Sequence, residues 1–207
     1  VLSSAYLLSK YSQTEEQPKR DKHIQRIVSS VNMLNDILND FLSVGKIEEG
    51  RIQVRFAEVN ITSLINELLS ELQPIYKKGQ RIEYNHKGEE VAMLDVSLLK
   101  HIVMNLLSNA IKFSPEDAVI HISTSNTDES ELVLKVKDNG IGISKEDQEH
   151  LFERFFRGAN VTNIQGTGLG LHIVAKYAEL MNGSIKAESE LGEGTEFIIT
   201  FNLKNDE

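Results

Sequence analysis

The sequence predicts an α+β protein: a two-layer α/β sandwich, its sheet mixed but largely antiparallel with helices on one face, preceded by an antiparallel helical hairpin. Three observations carry that expectation. Before Gly45 apolar residues recur at heptad spacing. Beyond Gly50 segments of period two alternate with amphipathic helical segments. The strand-like segments Val119–Ser125 and Leu132–Lys137 are joined by a polar loop, which suits an antiparallel hairpin pair.

The elements follow in order. Val1 to Tyr11 reads as the tail of a helix with Val1, Leu2, Ala5 and Leu8 on one side, and Ser12 to Pro18 as a turn into the next helix. From Lys19 onward Ile24, Val31 and Leu38 repeat every seven residues, as do Ile27, Leu34 and Phe41, flanked by Val28, Ile37 and Leu42. A helix of ~26 residues is roughly 39 Å long and cannot bury such a stripe by itself. It is expected to pack on the first helix and on a second copy; a monomeric intrachain hairpin is the alternative. Gly45 to Gly50 marks the boundary, giving residues 1–47 as a helical hairpin and 51–207 as a second domain. In that domain Arg51 to Ala57 alternates as a strand, and Thr62 to Lys78 is amphipathic through Leu64, Ile65, Leu68, Leu69 and Leu72. Arg81–His86 and Val91–Leu94 read as strands, and Asp95 is placed to cap a helix running to Phe113. Val119–Ser125 and Leu132–Lys137 alternate as a hairpin; a helix after Gly168 and strands at Ser184–Glu188 and Glu196–Asn202 complete the set.

Composition narrows the function. The chain has 207 residues and a formal net charge of −9, which argues against nucleic acid as a partner and against contact with an anionic membrane. It has no cysteine, so disulfides and thiolate metal sites are out of reach, in keeping with a cytoplasmic location. No apolar run approaches the ~20 residues of a membrane-spanning helix. Val1-Leu-Ser-Ser carries neither a starting Met nor a charged leader, so the chain reads as an excised fragment.

Four blocks in fixed order carry the chemistry. In Asn105-Leu-Leu-Ser-Asn109-Ala-Ile-Lys112-Phe113 the two asparagines share a helix face with Lys112, offering amide oxygens to a magnesium ion and a cation to phosphate. Taken singly, a solvated polar face is the plainer reading. In Asp138-Asn-Gly140-Ile-Gly142 a carboxylate at a strand end can accept from the exocyclic amine of adenine, while Gly140 and Gly142 allow close approach; an ordinary Asn-Gly turn is the plainer reading. Phe152-Glu-Arg154-Phe155-Phe156-Arg157 opens a segment to Gln165 that would serve as a mobile lid. At least two of its three phenylalanines are expected in the core, with Arg157 the better ligand and Arg154 equally an ion-pair partner. Gly166-Thr-Gly168-Leu-Gly170-Leu171 precedes an apolar helix whose exposed amides attract phosphate. It is not a P-loop, lacking the lysine and hydroxyl residue, nor a dinucleotide fingerprint, having Leu171 where glycine belongs.

The ordered set resembles the N, G1, F and G2 boxes of sensor histidine kinases, and Gly192-Glu-Gly194-Thr195-Glu-Phe197 looks like their further glycine box. The helices before Gly50 look like the end of the dimerisation and histidine-phosphotransfer hairpin, leaving 51–207 as the catalytic ATP-binding domain. The resemblance implies ATP and Mg2+ as cofactors. Asn109 would ligate magnesium, and Asn105 would assist the metal or the reacting phosphate as a catalytic residue. Lys112 would contact phosphate, Phe113 would flank the adenine, and Asp138 would recognise it with Thr195 beside it. Gly140, Gly142, Ile143 and Arg157 would belong to the nucleotide site, and the backbone of Gly166, Thr167, Gly168, Leu169 and Gly170 would hold the phosphates.

Family members form homodimers, phosphorylate a histidine on the first hairpin helix, and pass the group to an aspartate of a response regulator receiver domain. Their acceptor lies in a His-Glu or His-Asp block ending in proline. None of His23, His86, His101, His121, His150 or His172 has that context, so the chain is expected to bind ATP without phosphorylating itself. Rival readings are an ATP-driven clamp of topoisomerase or chaperone kind, a kinase acting on a partner's serine, and a dimerisation module with a vestigial site. Intact Asn109, Asp138 and G2 glycines speak against the last.

Overall fold

The computed structural model describes residues 1–8, 10–11, 14–126, 130–161 and 166–204. It divides into two compact units, Val1–Glu49 and Gly50–Glu207.

In the first unit α1 (Leu2–Leu8) packs on the long α2 (Gln17–Glu48), whose second residue is Pro18, tolerated there because a helix's first amides lack intrahelical partners anyway. The helix runs through Gly45 and ends at Glu48, within the stretch from Gly45 to Gly50. Of the side read from the sequence, Val1, Leu2 and Ala5 are exposed and Leu8 is half-buried, as is Ser4. A helix of seven residues covers little of its partner. The buried residues of α2 are Val44 and His23, which stacks on Tyr11 at 5.7 Å between ring centroids, with Ile27, Ser30 and Met33 half-buried. Most of the heptad residues therefore stay exposed, among them Ile24, Val31, Leu34, Leu38 and Phe41.

In the second unit β1 (Ala57–Asn60) pairs antiparallel with β3 (Val91–Leu94). The strand expected at Arg51–Ala57 lies further along. The Arg55 amide donates to Asp95 Oδ2 at 2.8 Å, so it is held by a side chain outside any strand. Asn60 caps α3 (Ile61–Leu72) by accepting the Ser63 amide. This helix stops six residues short of the expected Lys78, because Pro74 has no amide to continue it and Gln73–Ile75 forms a 3-10 turn. Asp95 caps α4 (Val96–Phe113) as expected, accepting from Ser97 and Leu98.

The main sheet has the order β2-β4-β5-β7-β6, from β2 (Arg81–Gly88), β4 (Val119–Asn126), β5 (Glu131–Asp138), β7 (Gly194–Asn202) and β6 (Gly183–Glu190). Only β2 with β4 is parallel, bridged by a crossover that contains α4; every other pair is antiparallel. The remaining helices are the single turn α5 (Lys145–Gln148) and α6 (Gly170–Leu180). Alternation decides the layers. Ile120 and Ile122, Leu132, Leu134 and Val136, and Phe197, Ile199 and Phe201 are buried, while His121, Glu131 and Lys137 on the other face are exposed. Leu64, Ile65 and Leu68 of α3, Ile102, Val103, Leu106 and Leu107 of α4, and Ile173 and Val174 of α6 complete that core. Each fully buried aliphatic side chain stabilises the fold by about 1.5–3 kcal/mol relative to exposure. The expected sandwich with helices on one face is what forms.

Candidate functional site

The apolar stripe of β5 ends in a carboxylate. Leu132, Leu134, Val136 and Asp138 share the core face, and Asp138 takes the last place. It is buried at 6% exposure beside Thr195, its directly opposite partner on β7. The Gly140 amide donates to Asp138 Oδ1 at 2.8 Å, and the Thr195 amide also bonds it. Burial nevertheless dominates and pushes the Asp138 pKa up to about 6, with the two amides pulling the other way. A carboxyl held this way is poised to meet a donor that shares its site.

The other blocks adjoin it. A methyl group on Gly140 would lie 2.7 Å from the Phe113 carbonyl oxygen, so the end of α4 touches the Asp138 turn. One on Gly166 would lie 3.3 Å from Lys112 Nζ, and one on Gly170 would lie 2.7 Å from both amide atoms of Asn105. Only glycine lets the start of α6 come this close to α4. A methyl on Gly168, whose φ is +72°, would meet the Phe155 backbone at 2.8 Å. Four stretches separated in sequence thus converge.

On α4, Asn105, Asn109, Lys112 and Phe113 are half-buried, on the side opposite buried Leu106 and Leu107. Asn109 Nδ2 donates to Asn105 Oδ1 at 3.2 Å, which leaves Asn109 Oδ1 with no hydrogen bond among the described residues. Lys112 Nζ lies 5.1 Å from the centroid of the Phe113 ring. Its pKa is lowered, first by burial and then by the Arg157 guanidinium, so two cations stand close together and favour an anion between them. Leu169 at the N-cap of α6 gives the helix no side-chain cap, which suits an anion at its first amides. Arg157 donates to the Val161 carbonyl at 2.8 Å. Ile143 turns its amide toward Ser189 Oγ at 2.8 Å.

The phenylalanine expectation is corrected. None of the three is buried: Phe152 and Phe156 are half-buried, and Phe155 is 66% exposed at a φ of +60°. The segment turns too tightly to reach the core. Buried His172 anchors it instead, its Nδ1 at 2.9 Å from the Phe152 carbonyl and its Nε2 accepting from Arg154 Nε at 3.3 Å. A carbonyl only accepts, so Nδ1 is the donor to Phe152. Arg154 accordingly partners a histidine. Residues 162–165 of the expected lid lie outside the described residues.

The structure adds residues the motifs did not single out. Lys77 Nζ donates to the carbonyls of Lys112 and Ser114 at 2.7 and 2.5 Å, and buried Gln80 donates to those of Ile111, Ser114 and Pro115. Together they fix the end of α4 that carries Lys112 and Phe113. The Lys77-Lys-Gly-Gln80 turn in the sequence hinted at a tight loop and gave no sign of its target. Ser189, opposite Thr195 on β6, is the third.

The chain is similar to known proteins in sequence and in fold. The family described as "Histidine kinase-, DNA gyrase B-, and HSP90-like ATPase" matches residues 94–205. Among curated proteins, sensor histidine kinase GacS of Pseudomonas protegens is 32% identical over 98% of this chain and 23% of its own length. Sensor histidine kinase RcsC of Escherichia coli is 32% identical over 92% of this chain and 20% of its own. The chain thus spans about a quarter or less of the relatives it matches. Of solved structures, full-length ShkA in complex with AMPPNP superposes with a TM-score of 0.76 at 26% identity, covering 96% of this chain and 42% of that one. The Acinetobacter baumannii histidine kinase AdeS shares the fold with a TM-score of 0.75 at 18% identity, over 98% of this chain and 96% of that one. The family match covers more than half of the sequence, and it coincides with the convergent blocks. The chain belongs to the histidine kinase-, DNA gyrase B- and HSP90-like ATPase family.

Proposed function

We propose that this chain binds ATP with magnesium and directs the γ-phosphoryl group to a histidine, from which it passes to the aspartate of a response regulator receiver domain. The observation that carries the reading is the meeting of Asn105, Lys112, Phe113, Asp138 and the Gly166–Gly170 block around one surface. Asp138, with Thr195 beside it, accepts from the adenine amine, and Phe113 flanks the ring. Gly140, Gly142 and Ile143 shape the base site. The amides of Gly166, Thr167, Gly168, Leu169 and Gly170, with Lys112 and Arg157, hold the phosphate tail.

The residues present fit magnesium. Asn109 Oδ1 is open among the described residues, and no group of three or more His, Cys, Asp or Glu there forms a metal cage. A cation at this place draws its remaining ligands from phosphate and water, which is how magnesium is commonly held. Asn109 and Asn105 are the candidates to hold it, Asn105 doubling as a catalytic residue beside the reacting phosphate. Bound there, magnesium neutralises phosphate charge. The chain's own residues fix the geometry: the acceptor nitrogen approaches in line, a nitrogen–phosphorus bond forms, and the bond to the β–γ bridging oxygen breaks to release ADP. Lys112 and Arg157 offset the charge that develops.

The exposed heptad face of α2 is suited to a second copy, and we assign it to a homodimer. An ATP-consuming kinase of this class works from the cytoplasmic nucleotide pool, and that is the compartment proposed. No helix among the described residues is long and apolar enough to cross a membrane.

Titration calorimetry with an unhydrolysable ATP analogue tests the reading. Binding is expected, with Asn109→Ala removing its magnesium dependence and the guanine analogue at least tenfold weaker, the scale of one charge-assisted hydrogen bond. Equal affinity for both bases would remove the case for Asp138. Incubation with radiolabelled ATP is expected to leave the six histidines of this chain unlabelled.

A further inference from the structure

Ser189, Thr195 and Asp138 form a row across β6, β7 and β5. Ser189 stands directly opposite Thr195, and Thr195 directly opposite Asp138. Opposed residues in antiparallel strands project to the same side, here the helix-covered one. Ser189 Oγ accepts the Ile143 amide at 2.8 Å, lies 2.7 Å from the Gly194 carbonyl oxygen, and lies 2.9 Å from Thr195 Oγ1. A carbonyl oxygen accepts only, and a serine hydroxyl has one proton, so that proton goes to Gly194. The Thr195 hydroxyl is then the donor to Ser189. Its proton is committed to its neighbour, and only lone pairs remain to face anything else.

We infer that Ser189 is a specificity-determining positioning residue: by taking up the Thr195 proton, it makes the row present hydrogen-bond acceptors only, and so selects a base with an amine at position 6 over one with a carbonyl there. The inference rests on the nucleotide reading above and adds to it the residue that sets the polarity of the base site. A Thr195 hydroxyl free to rotate would accept an amine in one rotamer and donate to a carbonyl in another, and would discriminate poorly. Ser189 removes the second option. Its bond to Ile143 also ties the loop after Asp138 to the same row, so the polarity and the position of the site share one anchor.

Competition binding of MgADP against MgIDP at pH 8 tests this on the full chain, since inosine differs by carrying a carbonyl where adenosine carries the amine. The wild type is expected to prefer ADP. In Ser189→Ala that preference shrinks by about tenfold, the worth of one hydrogen bond. Ser189→Thr, which keeps the hydroxyl, retains the wild-type preference. In a Thr195→Val background, adding Ser189→Ala leaves the preference where Thr195→Val alone put it, because the two act through one proton. Should Ser189→Ala not fold, Ser189→Cys, similar in shape but a weak donor and acceptor, is read in the same way. An unchanged preference in the variant, or an equal loss for both nucleotides, overturns the inference and leaves the nucleotide reading standing. A wild type that ignores ADP, or takes both nucleotides equally, overturns the nucleotide reading and this inference with it.

Discussion

Asp138 shows how one residue sets function against stability. Its pKa is raised to about 6 because the fold buries it, and in the unfolded chain it returns to the ordinary carboxylate range. The folded state therefore holds the proton more tightly than the unfolded state. By linkage, the ionised group costs stability that is fully felt above about pH 6 and vanishes below about pH 4. Asp138→Asn keeps an oxygen for the Gly140 amide and removes the charge. It is expected to raise unfolding free energy by about 2 kcal/mol at pH 8, with the gain fading toward pH 4. Urea titrations of both proteins at the two pH values check it, and a variant less stable at pH 8 would contradict the burial argument. The same substitution is expected to weaken ADP. Asp138 was legible in the sequence because it directly follows a clean period-two strand. Ser189 was not, since a serine in an exposed-looking Glu-Ser-Glu run gives no hint of what stands opposite.

Among elements, α4 was the most legible, because its cap, its apolar face and its polar face all point to one register. Its far end was not. Lys77 and Gln80, some thirty residues upstream, supply the donors for its last carbonyls, and long-range pairing of this kind leaves no periodicity to read. Gln80→Ala takes its donor from the Ile111 and Pro115 carbonyls, leaves Ser114 to Lys77 alone, and is expected to cost about 1–3 kcal/mol. It is also expected to weaken ADP by loosening Phe113, and thermal denaturation with and without ADP reads both effects. Stability lost without any change in ADP affinity would separate Gln80 from the site. Where local rules competed, the sequence misled. Amphipathicity carried the α3 pattern to Lys78, but the missing amide of Pro74 ended the helix first. The alternation of Arg51 to Ala57 lost to the side chain of Asp95. At least two of the three phenylalanines looked like core, yet His172 holds that segment through polar bonds.

At the scale of the molecule, layering and the β4–β5 hairpin followed from alternation, whereas the order of the strands and the parallel pairing of β2 with β4 required the crossover through α4 to be seen. The α2 stripe was readable from its heptads, and in the first unit it is left largely exposed. Leu38→Glu combined with Phe41→Glu places two charges on it and is expected to yield monomers where the unaltered chain sediments as a dimer. A dimer that survives both charges would move the interface elsewhere. The polar row also has a mechanical side. It lies where β5 ends and β7 begins, and strand ends open more readily than strand centres. An occupant bonded to Asp138 and Thr195 would act as a splint across that edge, slowing hydrogen exchange of the Gly140 and Thr195 amides while leaving mid-strand amides such as those of Leu134 and Ile199 as they were.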